Sequence, residues 1–137
     1  LAGPTGWTRF FVDVSEARTE ADFRRVITTM IDTAISPDNV EGRAQQANVI
    51  GAVYGRPRLR DAVGRLLYCA AHALAEILAP AQQQGWIRAD LDLDAFGAWF
   101  GAQLVGRNMI EFDSSSYDGA AWDRIFRDAV EATLFGD

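Results

Sequence analysis

The segment from Gly85 to Asp113 constrains the fold most, because its helical part is apolar on nearly every side. It reads GWIRADLDLDAFGAWFGAQLVGRNMIEFD. A glycine of the kind that ends helices is followed by an acidic turn and then by a predicted helix from about Leu93 to Phe112. A helix that is apolar all round must be covered on more than one side. We therefore expect the chain's own core on one side and a ligand, a second copy of the chain, or both, on the other.

Apolar residues recur at steps of three and four along most of the remaining sequence, which predicts an all-α fold. The further predicted helices run from about Glu20 to Ile35, Asp38 to Tyr54, Pro57 to Gln84 and Ala120 to Phe135. We expect one domain: a bundle of about five main helices over residues 16–137. Residues 1–15 precede it as an irregular segment or as the frayed end of a linker helix, since glycine and proline interrupt this stretch.

The predicted helix from Pro57 to Gln84 carries the longest apolar stripe, which we expect to face the core. Pro57 suits a first helical position, and Pro80 predicts a kink within a helix that continues. The stripe consists of Leu59, Val63, Leu66, Leu67, Ala70, Leu74, Ile77, Leu78 and Ala81.

Length, cysteine content and charge exclude several classes of protein. The 137 residues suit a single domain, and the one cysteine, Cys69, cannot form an internal disulfide. No apolar run approaches the roughly 20 residues that cross a bilayer, so we expect no membrane contact and a cytoplasmic location. The net charge is −6, and residues 89–137 hold ten acidic side chains against three arginines. Such a surface repels phosphate, so the chain should not bind DNA by itself.

The pattern of the Gly85–Asp113 segment resembles the regulatory domain of the tetracycline-repressor (TetR) family of bacterial transcription regulators. That domain often carries a glycine, an apolar residue, an acidic-apolar-acidic turn and an apolar helix with a glycine in its second half. Here these are Gly85, Ile87, Asp90-Leu91-Asp92 and Gly106, followed by a last helix that carries Trp122 and Phe126. The resemblance covers roughly residues 19–135.

The resemblance implies a ligand-sensing, dimerising domain of a transcriptional repressor. A small hydrophobic or aromatic effector would bind in a cavity between the helices and favour one arrangement of a homodimer. DNA would be contacted only through a helix-turn-helix domain that is not in this chain. Two alternatives remain: a helical adaptor that binds another protein, and a small all-α enzyme that uses His72 and Glu76.

The resemblance also implies that the last two helices pair with their copies in a four-helix dimer interface. Small residues on one side of the helix at 93–112 would allow a close approach of backbones. The candidate interface residues are Ala98, Ala102, Val105, Met109, Trp122, Ile125, Phe126 and Ala129. The alternative is that this helix is the central helix of a monomeric bundle.

Polar side chains among apolar ones point to a ligand cavity, because pockets combine apolar walls with few polar groups. Tyr68, His72 and Glu76 are four residues apart and so share one edge of a helix, and Gln103 lies on an otherwise apolar one. The candidate ligand-binding residues are Met30, Tyr68, His72, Phe96, Trp99, Phe100 and Gln103. In the alternative interpretation, Tyr68, His72 and Glu76 form a hydrogen-bonded, half-exposed strip.

A metal centre and a catalytic site are not expected. One histidine and one cysteine, His72 and Cys69, cannot fill a tetrahedral site, and the sequence has no paired-ligand spacing. Asp90, Asp92 and Asp94 resemble only the start of a calcium loop and are better explained as helix caps. We expect no cofactor, no bound metal and no enzymatic activity.

Overall fold

Six α-helices follow one another along the chain in the computed structural model, which describes residues 4–113 and 115–136, with side chains from residue 8 onward. They are α1 (Pro4–Glu16), α2 (Glu20–Ala34), α3 (Val40–Ala52), α4 (Pro57–Gln83), α5 (Leu93–Glu111) and α6 (Gly119–Phe135). A short 3-10 turn, Pro37–Asn39, joins α2 to α3. No strand occurs within the described ranges. The predicted all-α class is therefore confirmed.

The first helix, α1, decides between the two expectations for residues 1–15, of which residues 1–3 lie outside the described part: the segment is helical and not irregular. Phe10 and Val14 are four residues apart and both are buried in the core. Burial of this pair holds the segment helical despite its glycine content, since packing commonly overrides weak local propensity.

The starts of α2 and α5 are capped by the side chains that the sequence predicts. Thr19 and Asp22 form a complete capping box at the start of α2, and the Asp92 side chain accepts a hydrogen bond from the Ala95 backbone N–H. These side chains satisfy amide groups that the first helical turn leaves without partners. Both predicted helix starts are confirmed.

The longest helix, α4, is covered less than its apolar stripe predicts. Its buried residues are Val63, Ala71, Leu74, Ala75, Leu78 and Ala81. Leu59, Leu66 and Leu67 are exposed instead, Leu66 by 69%. The prediction that the whole stripe faces the core is therefore wrong for these three leucines and for Ala70, whereas Val63 between them is buried.

α4 and α5 approach each other closely at Gly97. A Cβ atom on this glycine would lie 2.5 Å from the carbonyl oxygen of Ala71. Only a residue without a side chain permits this contact, because real Cβ atoms do not approach backbone oxygen so closely. The contact fixes the register of α5 on α4.

A chain of alternating charges links α3, α5 and α6. Arg43 of α3 is 1% exposed, pairs with Glu111 of α5, and donates hydrogen bonds to the carbonyl oxygens of Ala34 and Ser36 at 2.9 and 3.2 Å. Farther along, Arg107 lies 3.6 Å from Glu111 and 2.9 Å from Asp123 of α6. Arg43 therefore both covers carbonyls at the end of α2 and holds α3 against α5.

Candidate functional site

The side of α5 that faces the core forms a wall of aromatic rings with α6. Phe100 and Phe126 have ring centroids 5.5 Å apart, and Trp122 stacks on Phe126 at 5.3 Å. Trp99 and Phe96 extend this wall at about 6 Å from their neighbours. Contacts at these distances add to the stabilisation from buried apolar area and hold α6 against α5.

The opposite side of α5 is apolar, made largely of small residues, and open to solvent. Ala98, Gly101 and Ala102 are exposed, as is Met109 by 65%. On α6, Ile125 is 70% exposed. The helix thus has one side in the core and one side that the described part of the chain leaves exposed.

The candidate interface residues fall into three groups by exposure. Val105, Trp122 and Ala129 are half-buried. Phe126 is 3% exposed and lies within the chain's own core. The exposed members are Ala98, Ala102, Met109 and Ile125.

The candidate ligand-binding residues are divided between the core and the surface. Met30, Phe96 and Phe100 are buried in one hydrophobic cluster, and Trp99 packs against it. Gln103 is half-buried on α5. Tyr68 and His72 lie apart from these five residues, on the outside of α4, with Tyr68 63% exposed. The structure thus brings together the α2 and α5 members of the set and separates the two from α4.

Two open surface grooves are lined by none of these five residues from α2 and α5. One runs between α1 and α2 and is lined by Asp13, Asp22, Arg25 and neighbouring residues. The other follows the first half of α4 along Arg60, Gly64 and Tyr68. Tyr68 is the candidate ligand-binding residue that lines one of them.

His72 joins α4 to the first turn of α5. Its Nδ1 lies 2.8 Å from Oδ1 of Asp94, and its Nε2 lies 3.3 Å from Oε1 of Glu76. The Tyr68 ring stacks on the imidazole with centroids 5.8 Å apart. The hydrogen bond that the imidazole donates to Asp94, and then the charge of Asp94, raise the pKa of His72 above the ordinary value of 6.5. The side chains form the hydrogen-bonded, half-exposed strip of the alternative interpretation, with Asp94 added.

The partnership between His72 and Asp94 is not visible in the sequence. Asp94 reads as a charge that stabilises the start of α5, and 22 residues separate it from His72. Only the register that Gly97 sets on α4 brings the two side chains together. Among the described residues, no group of three or more His, Cys, Asp or Glu side chains is arranged to hold a metal ion.

The His72 cluster predicts that stability depends on pH. A folded-state pKa above 6.5 means that the imidazolium favours the folded protein. This contribution is complete below pH 6.5 and is lost as the pH rises through the folded-state value. We expect wild type to exceed His72→Gln in melting temperature by more at about pH 5.5 than at about pH 8.5. Differential scanning calorimetry at both pH values measures the two differences.

The control for this prediction is Asp94→Asn, which removes the nearer carboxylate and should reduce the pH dependence. Glu76→Gln should reduce it less, because Glu76 makes the longer contact. Equal differences between wild type and His72→Gln at the two pH values would contradict the prediction.

By length and composition alone, α4 is long and apolar enough to cross a membrane, although charged residues interrupt it. Only 22% of its most apolar stretch is buried by the described residues. Core helices of other proteins meet the same criterion, but most of such a helix is then buried. The unusual property of α4 is therefore the small part of it that the chain itself covers.

Comparisons of this chain with protein-family models, with curated proteins and with solved structures find no match.

Proposed function

We propose that this chain is the effector-binding and dimerisation domain of a cytoplasmic bacterial transcription repressor of TetR type. The observation that carries the proposal is the open, small-residue side of α5; on α6, Ile125 is also exposed. An exposed apolar surface on a folded domain marks an interaction site. Small residues let the helices of a second copy approach closely, and the same surface on both copies makes a symmetric contact.

The effector would bind against the aromatic wall between α5 and α6. Trp99 and Gln103 are half-buried at its edge, and they offer a flat apolar surface and an amide to a small aromatic molecule. Phe96 and Phe100 are buried in the core cluster, so binding requires part of the bundle to open. The effector would select this open state from the existing ensemble.

We expect α3 to be the helix that moves most easily. Arg43 is the one residue of this 13-residue helix that is buried, and the helix packs on α5. An element with few buried apolar contacts opens at low free-energy cost. Movement of α3 would uncover the end of α5 around Glu111, and α5 also carries the proposed dimer surface. Effector binding and dimer geometry would therefore be coupled through one helix.

The dimer surface is tested by Ala102→Arg. In a close helix contact, the new guanidinium would be buried without a partner, at a cost that separates the copies. We expect the assembly mass in sedimentation velocity at micromolar concentration to fall at least twofold. The matched control, Ala21→Arg, places the same charge on an exposed position of α2 and should leave the mass unchanged. An unaltered mass for Ala102→Arg would refute the α5 interface.

Effector binding is measured on the same proteins. A panel of hydrophobic and aromatic compounds should contain some that raise the melting temperature, since a ligand that binds only the folded state stabilises it. Trp99→Ala should remove that increase, whereas Tyr117→Ala, an exposed aromatic residue outside the wall, should keep it. A helical adaptor, favoured by the uncovered residues of α4, would respond to a protein and to none of these compounds.

A further inference from the structure

The uncovered side of α4 has the residue spacing of a coiled-coil seam. Apolar residues occur at alternating steps of four and three residues, which keeps them in one line along a helix that packs against another. They are Leu59, Val63, Leu66, Ala70, Ala73 and Ile77; we call this line the α4 seam. Ala70 and Ala73 are exposed along with Leu66, whereas Val63 and Ile77 lie where the seam meets the core. A helix of 27 residues is long enough for three heptads.

The size of the seam residues suits an antiparallel copy of the same helix. The seam residues occupy the a and d positions of successive heptads. If two antiparallel α4 helices cross at residue 68, these positions face one another in successive layers. Leu66 then meets the partner's Ala70, while Ala73 and Leu59 lie at the levels of the partner's Val63 and Ile77. A large exposed residue lies against a small exposed one in the two central layers, so the backbones come close without voids.

The charges also favour the antiparallel direction. Arg56, Arg58, Arg60 and Arg65 lie at the start of α4, with Asp61 the one acidic residue among them. A parallel pair would place these four arginines beside their copies. An antiparallel pair separates them and removes this repulsion.

We propose that the α4 seam is a second self-association surface, on which α4 of another copy docks antiparallel. It is distinct from the proposed α5 and α6 interface, because the seam residues lie on a different helix from Ala98, Ala102 and Ile125. The proposal therefore does not depend on the proposed function. Cys69 is exposed next to the seam, and the crossing at residue 68 brings the two Cys69 thiols close together on one flank.

The experiment uses the Ala102→Arg variant, in which the proposed α5 contact is disabled and the seam is the remaining contact. With this variant we expect a dimer in sedimentation velocity, and a short bismaleimide should join the two Cys69 thiols into a covalent dimer. Adding Leu66→Glu should give a monomer and lower the cross-linking rate at least tenfold. Adding Tyr68→Glu instead, an exposed position off the seam, should leave both results unchanged. Cys69→Ser should abolish cross-linking and keep the dimer.

The outcomes separate the two interfaces. A monomeric Ala102→Arg variant without cross-linking would overturn the seam and leave the α5 interface standing. If Ala102→Arg leaves the assembly mass of wild type unchanged and Leu66→Glu lowers it, the α5 interface is overturned and the seam is supported. A third outcome would point to a bilayer surface and overturn the proposal. In that case wild type would float with vesicles of anionic phospholipid, Leu66→Glu would abolish flotation, and no cross-linking would occur in solution. Circular dichroism on each variant confirms that the helices remain.

Discussion

Glu111→Ala is expected to lower the free energy of unfolding by about 3–5 kcal/mol, because it leaves the charge of Arg43 buried without its counter-ion. Arg43 is 1% exposed, and its Nε already has no hydrogen-bond partner. The alanine cannot accept from the guanidinium, and α3 must then move away or admit water. Urea denaturation followed by circular dichroism measures the change, with the slope checked for two-state behaviour.

A double-mutant cycle with Arg43→Met distinguishes the loss of this pair from a general weakening of α5. If the pair is the cause, the losses of unfolding free energy in the two single variants should add up to more than the loss in the double variant. Asp128→Ala, which removes an exposed acid from α6, should change stability by less than about 0.5 kcal/mol. Additive losses, or a loss for Glu111→Ala no larger than for Asp128→Ala, would show that the pair has little influence on stability.

Gly97→Ala is expected to destabilise the fold by about 1–3 kcal/mol, although alanine is the better helix former. The new methyl group would lie 2.5 Å from the Ala71 carbonyl oxygen and 3.0 Å from its Cα. Both are backbone atoms that cannot rotate away, so α4 and α5 must separate along their contact. Thermal and urea unfolding give the size of the loss.

Glycines on the same helix supply the matched controls. Cβ atoms on Gly101 and Gly106 would meet no atom within 4 Å. Alanine at either position should be neutral or stabilise by up to about 1 kcal/mol, because glycine in a helix interior costs that much. Measurement in the Ala102→Arg background keeps the proposed α5 contact from obscuring the result. Stabilisation by Gly97→Ala would mean that the two helices are not in contact there.

Local patterns were sufficient to predict five of the six helices. The caps at Thr19 and Asp92 and the breaks at Pro57 and Gly85 act within a few residues, and their effect can be read from the chain. The first helix was only one of two alternatives, because its stability comes from burial of Phe10 and Val14, which is a tertiary effect. Periodicity likewise identified an apolar stripe on α4 but could not tell which of its residues a neighbour covers.

The candidate site was predictable only where its residues share a helix. Tyr68, His72 and Glu76 were identified from their spacing, but Asp94 was not, since the contact depends on the register between α4 and α5. The pairing of Arg43 with Glu111 spans 68 residues and leaves no local trace in the sequence. An isolated arginine in a weakly amphipathic helix normally predicts a solvated side chain.

The attachment of α3 by one guanidinium has a consequence for how sequences with this fold can diverge. A helix held by an apolar stripe must preserve several positions at once, whereas α3 must preserve Arg43 together with Glu111 and the carbonyls that Arg43 covers. We expect homologous chains to differ more along α3 than along any other helix. We also expect the residues at positions 43 and 111 to covary, so that a substitution at one accompanies a substitution at the other.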